Sequence, residues 1–429
     1  MKVKISEVTL NPSGDLIAGA FLDQPLPGPV DIYALKVVGW VVGKEPVAEV
    51  EFVHEFEVVA RCQLTVSRPQ AAELYGSSTP LVGFSKAIGT VGLTSAFTIQ
   101  VRVVFQDGRR RQIAEICGTQ QLTSAFTPSM QPIIVTNIGR SGGTMLMRML
   151  AEHPDITVDE RFPYESRVCS YWMHFIHVLA APAEAEAPEF WSDPTRLAPF
   201  PYYLNPDGTD PVGPQAIDRW YGSGQVEEFA RVAQAAVESF YREYASARTS
   251  ATPAFFAEKG GVGHSYIRPI MRQLYPRGRE IFLVRDPKDR LASVLAFNAR
   301  RGYHHFGREQ VDTDEQYVDV IRAQMVDLLE SWKRSSHRGP LVRYEGLIRS
   351  PTEHIRAMLD ALELDSSANI IAAMVRAENE VTADVNAHRT SLSSIGRGTQ
   401  DLEPRLQKIC DEAFRELLEE LDRLDGSSY

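Results

Sequence analysis

Three short apolar runs in this chain end on a cation. Pro132 to Val135 leads into Gly139-Arg140-Ser141-Gly142-Gly143-Thr144, Pro253 to Glu258 ends at Lys259, and Glu280 to Val284 ends at Arg285. Fixed cations at one edge of a sheet neutralise a ligand that carries several negative charges. A glycine-rich turn running into a helix adds backbone N–H groups aimed at the same charge. A nucleotide with separate phosphate groups fits this pattern. ATP or GTP would call for Gly-Lys-Ser/Thr in the turn and an acidic strand end for Mg²⁺. Here no lysine stands between Gly143 and Thr144, Arg140 precedes the glycines, and Asp286-Pro287 reads as a helix cap. The expectation is charge neutralisation with no metal required.

These residues need a parallel sheet to bring them together, because ligands of open parallel sheets bind beyond the carboxyl ends of the strands. The apolar runs read as buried strands of such a sheet, with Pro340 to Arg343 as another. Helical stripes follow them: Met145, Leu146, Met149 and Leu150; His264 to Leu274; Pro287 to Phe297; Glu353 to Leu362; and a final helix over about Leu402 to Leu424. Residues from 163 to about 250 form a largely helical insertion between the first two strands. Its loose stretches are Pro182 to Asp193 and Tyr202 to Gly224, and its helix stripe runs from Val226 to Tyr244. An insertion of this kind commonly covers a site or selects a substrate.

Residues 1 to about 125 have strand period instead, clearest at Phe97-Ile99-Val101-Val103-Phe105. Asp107-Gly108 then signals a hairpin, with Gln112 to Ile116 returning. Tyr33 to Val42 and Val47 to Val59 read as further strands, and Gln70 to Tyr75 as a short helical turn. The expectation is an antiparallel sandwich of roughly seven or eight strands, structural or, with Trp40, Tyr33 or Tyr75 as stacking platforms, sugar-binding. Gln120 to Gln131 reads as the linker. The fold class is therefore α/β, a P-loop-like parallel sheet flanked by helices, with an N-terminal all-β sandwich domain. The domains are 1–125 and 131–429.

The chain has 429 residues and a net charge of −11, so two domains are expected and a general nucleic-acid or anionic-membrane binder is not. No stretch is apolar for long enough to span a membrane, and the N-terminus turns polar too early for a secretion signal. Cys62, Cys117, Cys169 and Cys410 are too scattered for a disulfide framework or a zinc site, which points to a reducing cytoplasm.

The motifs together resemble the sulfotransferases that use 3′-phosphoadenosine-5′-phosphosulfate. Gly139 to Thr144 is similar to that family's 5′-phosphosulfate loop. Leu283 to Ser293, an Arg followed eight residues later by a Ser, resembles its 3′-phosphate motif. Glu258-Lys259-Gly260 is similar to a third signature, without its Ser/Thr and Pro, and Val342 to Leu347 with Pro351 matches a fourth segment. The resemblance covers about 131–429 and is nearest to the Arg-Ser-Gly loop type of tyrosylprotein and many bacterial sulfotransferases. A Thr or Ser of that loop is here Gly143.

The resemblance implies that Arg140, Ser141, Gly142, Gly143, Thr144 and Met145 hold the 5′ side of the nucleotide. It implies Arg285 and Ser293 for the 3′-phosphate, with Arg397 added from the run His388 to Gly398. It implies Arg140 and Lys259 as catalytic cations and Glu160 as general base. Glu165, Asp159, His174, His177 and His264 are alternatives for the base. The expected activity is sulfuryl transfer to an acceptor hydroxyl, a glycan hydroxyl first. Peptidyl tyrosine, a lipid or small-molecule hydroxyl, and a P-loop kinase-like enzyme are the alternatives. Homo-oligomerisation is left open.

Overall fold

The computed structural model of the chain describes residues 1–11, 15–30, 33–55, 57–182, 224–248, 252–261, 266–334, 339–379 and 395–425. Most of the loose part of the insertion (183–223), His264 and the run from His388 to Ser391 lie outside these residues. The chain divides into two compact units. One comprises Met1–Thr127, Tyr171–Ala236 and Ser265–Pro276, the other Pro128–Ser170, Val237–His264 and Arg277–Tyr429.

In the first unit two antiparallel sheets form a sandwich. The larger has the order β3-β1-β10-β9-β5-β6 and the smaller β2-β4-β8-β7. The strands are β1 (Lys2–Leu10), β2 (Ile17–Gln24), β3 (Gly28–Val30), β4 (Ala34–Gly43), β5 (Val47–His54), β6 (Glu57–Cys62), β7 (Val66–Ser67), β8 (Leu81–Gly89), β9 (Ala96–Phe105) and β10 (Arg110–Gln121). Strand alternation turns Phe97, Ile99, Val101 and Val103 of β9 inward, all buried. Phe52 of β5 meets Phe84 of β8 edge-on, ring centroids 6.2 Å apart. The hairpin at Asp107-Gly108 forms as expected: Gly108 takes φ 84° and Asp107 accepts from the Arg109 N–H at 2.9 Å.

The strand number exceeds the expectation. The run Val47 to Val59 is not one strand but two, β5 and β6, because the chain reverses at Glu55, where φ is 53°. The short strands β3 and β7 carry too few residues to show a period. Tyr33 is core, with its ring buried, so it is no stacking platform. Trp40 lies beside Tyr75, ring centroids 5.5 Å apart. All four cysteines are free thiols.

In the second unit five parallel strands have the order β12-β13-β11-β14-β15. They are β11 (Gln131–Asn137), β12 (Ile156–Val158), β13 (Phe255–Gly260), β14 (Arg279–Val284) and β15 (Leu341–Arg343). β11 is central. The chain leaves it for β12 and β13 on one side, then crosses to β14 and β15 on the other, so the carboxyl end of β11 is a topological switch point. The two faces of β14 show why helices cover both sides. Ile281 and Leu283 pack with Leu146, Met149, Ile355 and Met358. Phe282 and Val284 pack with Leu291, Ile321, Met325 and Phe414.

Three features of this unit departed from the expected pattern. β12 is too short for its period to be read. The helices Asp314–Arg334 and Ala368–Asn379 stand where no helix was read. The final helix is two, Pro404–Ala413 and Arg415–Asp425, interrupted at Phe414, whose ring is fully buried in the same core as Leu417 and Leu421. Phe52→Ala should cost about 3–5 kcal/mol, read as a lowered thermal transition; an unchanged transition would show that Phe52 does not join the two sheets.

Candidate functional site

The loop after β11 turns back on itself. Arg140 has φ 69° and Gly142 has φ 95°, both left-handed, and the helix Gly143–Ala151 starts at the next residue. A left-handed Arg costs on the order of 1–2 kcal/mol, so other groups must hold it. Arg285 Nη1 donates to the Arg140 carbonyl at 3.0 Å, and Arg290 Nε donates to the Gly139 carbonyl at 2.9 Å. With its carbonyls taken from behind, the loop presents the N–H groups of Gly142, Gly143 and Thr144, which have no acceptor within the first helical turn. At Gly142 a Cβ would stand 2.3 Å from Tyr344 Cδ2, so only glycine fits the close approach as well as the φ. At Gly143 a Cβ would stand 2.8 Å from Asn137 Nδ2, an amide that also donates to the Ile138 carbonyl. Asn137 thus fills the space where a side chain at 143 would sit.

The cations converge on this turn. Arg140 Nε donates to Ser293 Oγ at 3.2 Å, and its guanidinium lies 4.8 Å from the Phe297 ring centre. Burial lowers the Arg140 guanidinium to about 10, and the charges of Arg285 and Arg397 press it the same way. Arg285, itself buried, lies 4.6 Å from the centre of the Tyr344 ring. Lys259 Nζ donates to Thr144 Oγ1 at 2.8 Å and to the Pro163 carbonyl, with Glu165 Oε1 at 3.4 Å. Burial holds Lys259 down at about 8, although Glu165 raises it. Arg397 is 4 % exposed and its Nε donates to Asp401 at 2.7 Å. Ser141 Oγ is fully buried, with no hydrogen-bond partner among the described residues. Met145 occupies the first helical turn, and its side chain packs on the sheet core.

The helix Pro287–Arg301 brings Ser293 to Arg140. It is capped as expected, Asp286 accepting from Lys288 N at 2.8 Å and Asp289 N at 3.1 Å. Glu345 accepts the Asp286 N–H at 2.9 Å, which ties the exit of β15 to that of β14; burial pushes its carboxyl up. Glu258, next to Lys259, is a buried carboxylate that accepts from Tyr241 Oη and Cys169 N, each at 2.6 Å; burial pushes it up as well.

The carboxylates read as bases are placed differently from one another. Glu160 pairs with Arg248, and its N–H donates to the Tyr244 hydroxyl at 2.9 Å. Asp159 accepts from Arg161 and Ser166; burial pushes its carboxyl up, but those hydrogen bonds outweigh it and hold the group low. Glu165, half exposed, lies beside Lys259. His174 and His177 belong to the other unit, where His177 stacks on Tyr266 with ring centroids 3.8 Å apart. The structure therefore gathers Arg140, Ser293, Arg285, Thr144 and Lys259, with Glu165, one of the alternatives for the base, beside Lys259. Sequence reasoning missed Tyr344, Phe297 and Arg290. Arg290 and Tyr344 carried a signal, since Arg290 stands inside the Arg285–Ser293 motif and Tyr344 inside the segment Val342 to Leu347; Phe297 carried none.

The profile of the sulfotransferase family matches residues 132–368. Similar solved structures include the sulfotransferase domain of the Synechococcus PCC 7002 olefin synthase, at 14% identity and TM-score 0.36, covering 70% of this chain and 98% of that one. Sulfotransferase STF9 from Mycobacterium avium is 14% identical with TM-score 0.32, covering 68% of this chain and 77% of that one. Mouse sulfotransferase SULT7A1 complexed with PAP is 12% identical with TM-score 0.37, covering 68% and 84%. A comparison with curated proteins yields no match. The family profile spans more than half of the chain, including the Arg140 loop, Lys259, Arg285 and Ser293, and the chain belongs to the sulfotransferase family.

Proposed function

We propose that this sulfotransferase draws its sulfuryl group from 3′-phosphoadenosine-5′-phosphosulfate and passes it to a hydroxyl, first among acceptors that of a glycan. The observation that carries the donor is the set of buried cations around a loop whose Ser141 hydroxyl has no protein partner among the described residues. Buried like charges are costly unless an anion completes them, and a bisphosphorylated nucleotide supplies charge at two separate points. When bound, it brings an activated sulfuryl group and a phosphate leaving group. The N–H groups of Gly142, Gly143, Thr144 and Met145, with the Ser141 and Thr144 hydroxyls, hold the 5′ end. Arg285, Ser293 and Arg397 hold the 3′-phosphate. Arg140 and Lys259 neutralise charge that develops on the leaving oxygen, as fixed cations in a site from which burial excludes water.

The proton of the attacking hydroxyl goes to a carboxylate of the loop between β12 and the helix Val168–Leu179. Family resemblance assigns this to Glu160. A second reading, Glu165, is favoured by its place 3.4 Å from Lys259. The sandwich and the insertion suit a polymeric acceptor better than a small phenol. The free thiols suit a cytoplasmic setting. The sulfotransferase domain is taken as 131–429 and the accessory sandwich as 1–125.

The nucleotide product, 3′-phosphoadenosine-5′-phosphate, should raise the melting temperature without Mg²⁺, by about 2.7 kcal/mol of stabilisation at a hundredfold excess over Kd; ATP-Mg should not. The opposite pattern would return the chain to the kinase-like reading. Arg140→Ala and Lys259→Ala should each lower kcat by about 10²–10³, measured as sulfate transfer to a polysaccharide panel beside tyrosine peptides. Glu160→Gln should lower kcat by about 10²-fold or more and Glu165→Gln should not; the reverse gives the base to Glu165.

Lys259 sets the pH dependence. Its folded pKa of about 8 lies below its ordinary 10.5, so its charge is lost as pH rises through about 8. The cost of burying that charge is present below about 8 and relieved between about 8 and 10.5, where only the unfolded chain keeps the proton. kcat/KM should therefore fall as pH rises through about 8, and Lys259→Arg should abolish that limb. In Glu165→Gln the lysine midpoint, followed by ¹³Cε NMR, should move lower still, since the carboxylate raises it. An unmoved midpoint would break the pairing.

A further inference from the structure

We propose that Asp289 is a positioning residue: it docks the Gly396-Arg397-Gly398 segment and so gives the site its preference for nucleotides that carry a 3′-phosphate. This rests on the donor reading above.

Asp289 is the third residue of the helix Pro287–Arg301, where an acid ordinarily serves its own helix N-terminus. That task is already filled by Asp286. Asp289 is 4 % exposed, and both of its oxygens are spent on a stretch more than a hundred residues away. Gly396 N donates to Oδ2 at 2.8 Å and Gly398 N donates to Oδ1 at 2.7 Å. Hydrogen bonds to an ionised acceptor are about twice as strong as neutral ones, so this two-point clamp ties the segment to that helix.

The segment is shaped for the clamp. Gly396 takes φ 79°, and a Cβ at 398 would stand 2.4 Å from Lys288 Cβ. Both flanking positions therefore need glycine, and Arg397 is carried between the two anchored amides. Its side chain is then buried in reach of Arg140, whose proton affinity it lowers. Electrostatics explains why a carboxylate does the docking. Arg140 and Arg397 repel each other, and two carboxylates oppose that repulsion: Asp401 on the Arg397 side chain and Asp289 on the amides that flank it. Asp289 acts from the same helix that presents Ser293.

The experiment uses the full chain and two probes, 3′-phosphoadenosine-5′-phosphate and AMP, by calorimetry. Asp289→Asn, which keeps the side-chain volume, and Arg397→Ala should each weaken the bisphosphate by about 10–100-fold and AMP by less than about twofold. The double variant should lose no more than either single one. KM for the donor should rise with kcat little changed. Without any nucleotide, hydrogen exchange at the Gly396 and Gly398 amides should speed up in Asp289→Asn and not in Arg397→Ala. Equal losses for both probes, additive losses, or unchanged bisphosphate binding in Asp289→Asn would each overturn the inference and leave the donor reading intact. Failure of the wild type to bind the bisphosphate would overturn both.

Discussion

The site depends on a backbone that would not hold its shape by itself. Arg140 and Gly142 are both left-handed, and the turn they make aims the first N–H groups of the helix Gly143–Ala151 to one side. Arg285 and Arg290 hold the two carbonyls on the other side, and Tyr344 closes on Gly142. Two guanidiniums thus act on the backbone before any act on a ligand. The strain is local and is offset by charge-assisted hydrogen bonds from residues that the sheet itself delivers.

Position within the sheet makes this economical. β11 lies between β13 and β14, so Lys259 and Arg285 leave from its two immediate neighbours. Each cation emerges from a buried strand and stays buried. The result is a cluster of Arg140, Arg285, Lys259 and Arg397 in which burial lowers the proton affinity of Arg140 and of Lys259. Clustered buried cations are a destabilising arrangement, and fixed charges of this kind lower the cost of reorganisation when negative charge develops beside them. Carboxylates are used around it with restraint: Glu165 against Lys259, Asp401 against Arg397, and Asp289 against backbone amides.

Much of this was legible because it is local chemistry. Arg140, Lys259 and Arg285 each follow an apolar run, and a strand exit is fixed by a few adjacent residues. Asp286-Pro287 capped its helix as read, since a cap involves only the next three residues. What escaped was either short or decided at a distance. β12 has three residues, β5 and β6 part at one left-handed Glu55, and the C-terminal stripe breaks because Phe414 belongs in the core. The pairing of Glu165, rather than Glu160, with Lys259 depends on the path of a loop.

By itself the sequence determined the two classes of secondary structure, the strand-turn-helix unit that carries the loop, and the cations at three strand ends, because apolar period, glycine and proline act over a few residues. Tertiary structure alone decided which groups meet. Asn137 fills the space beside Gly143, Tyr344 excludes a side chain at 142, and Asp289 draws in two amides from beyond residue 395. Those contacts join residues far apart in the chain, and only packing of the whole sheet and its helices sets their distances.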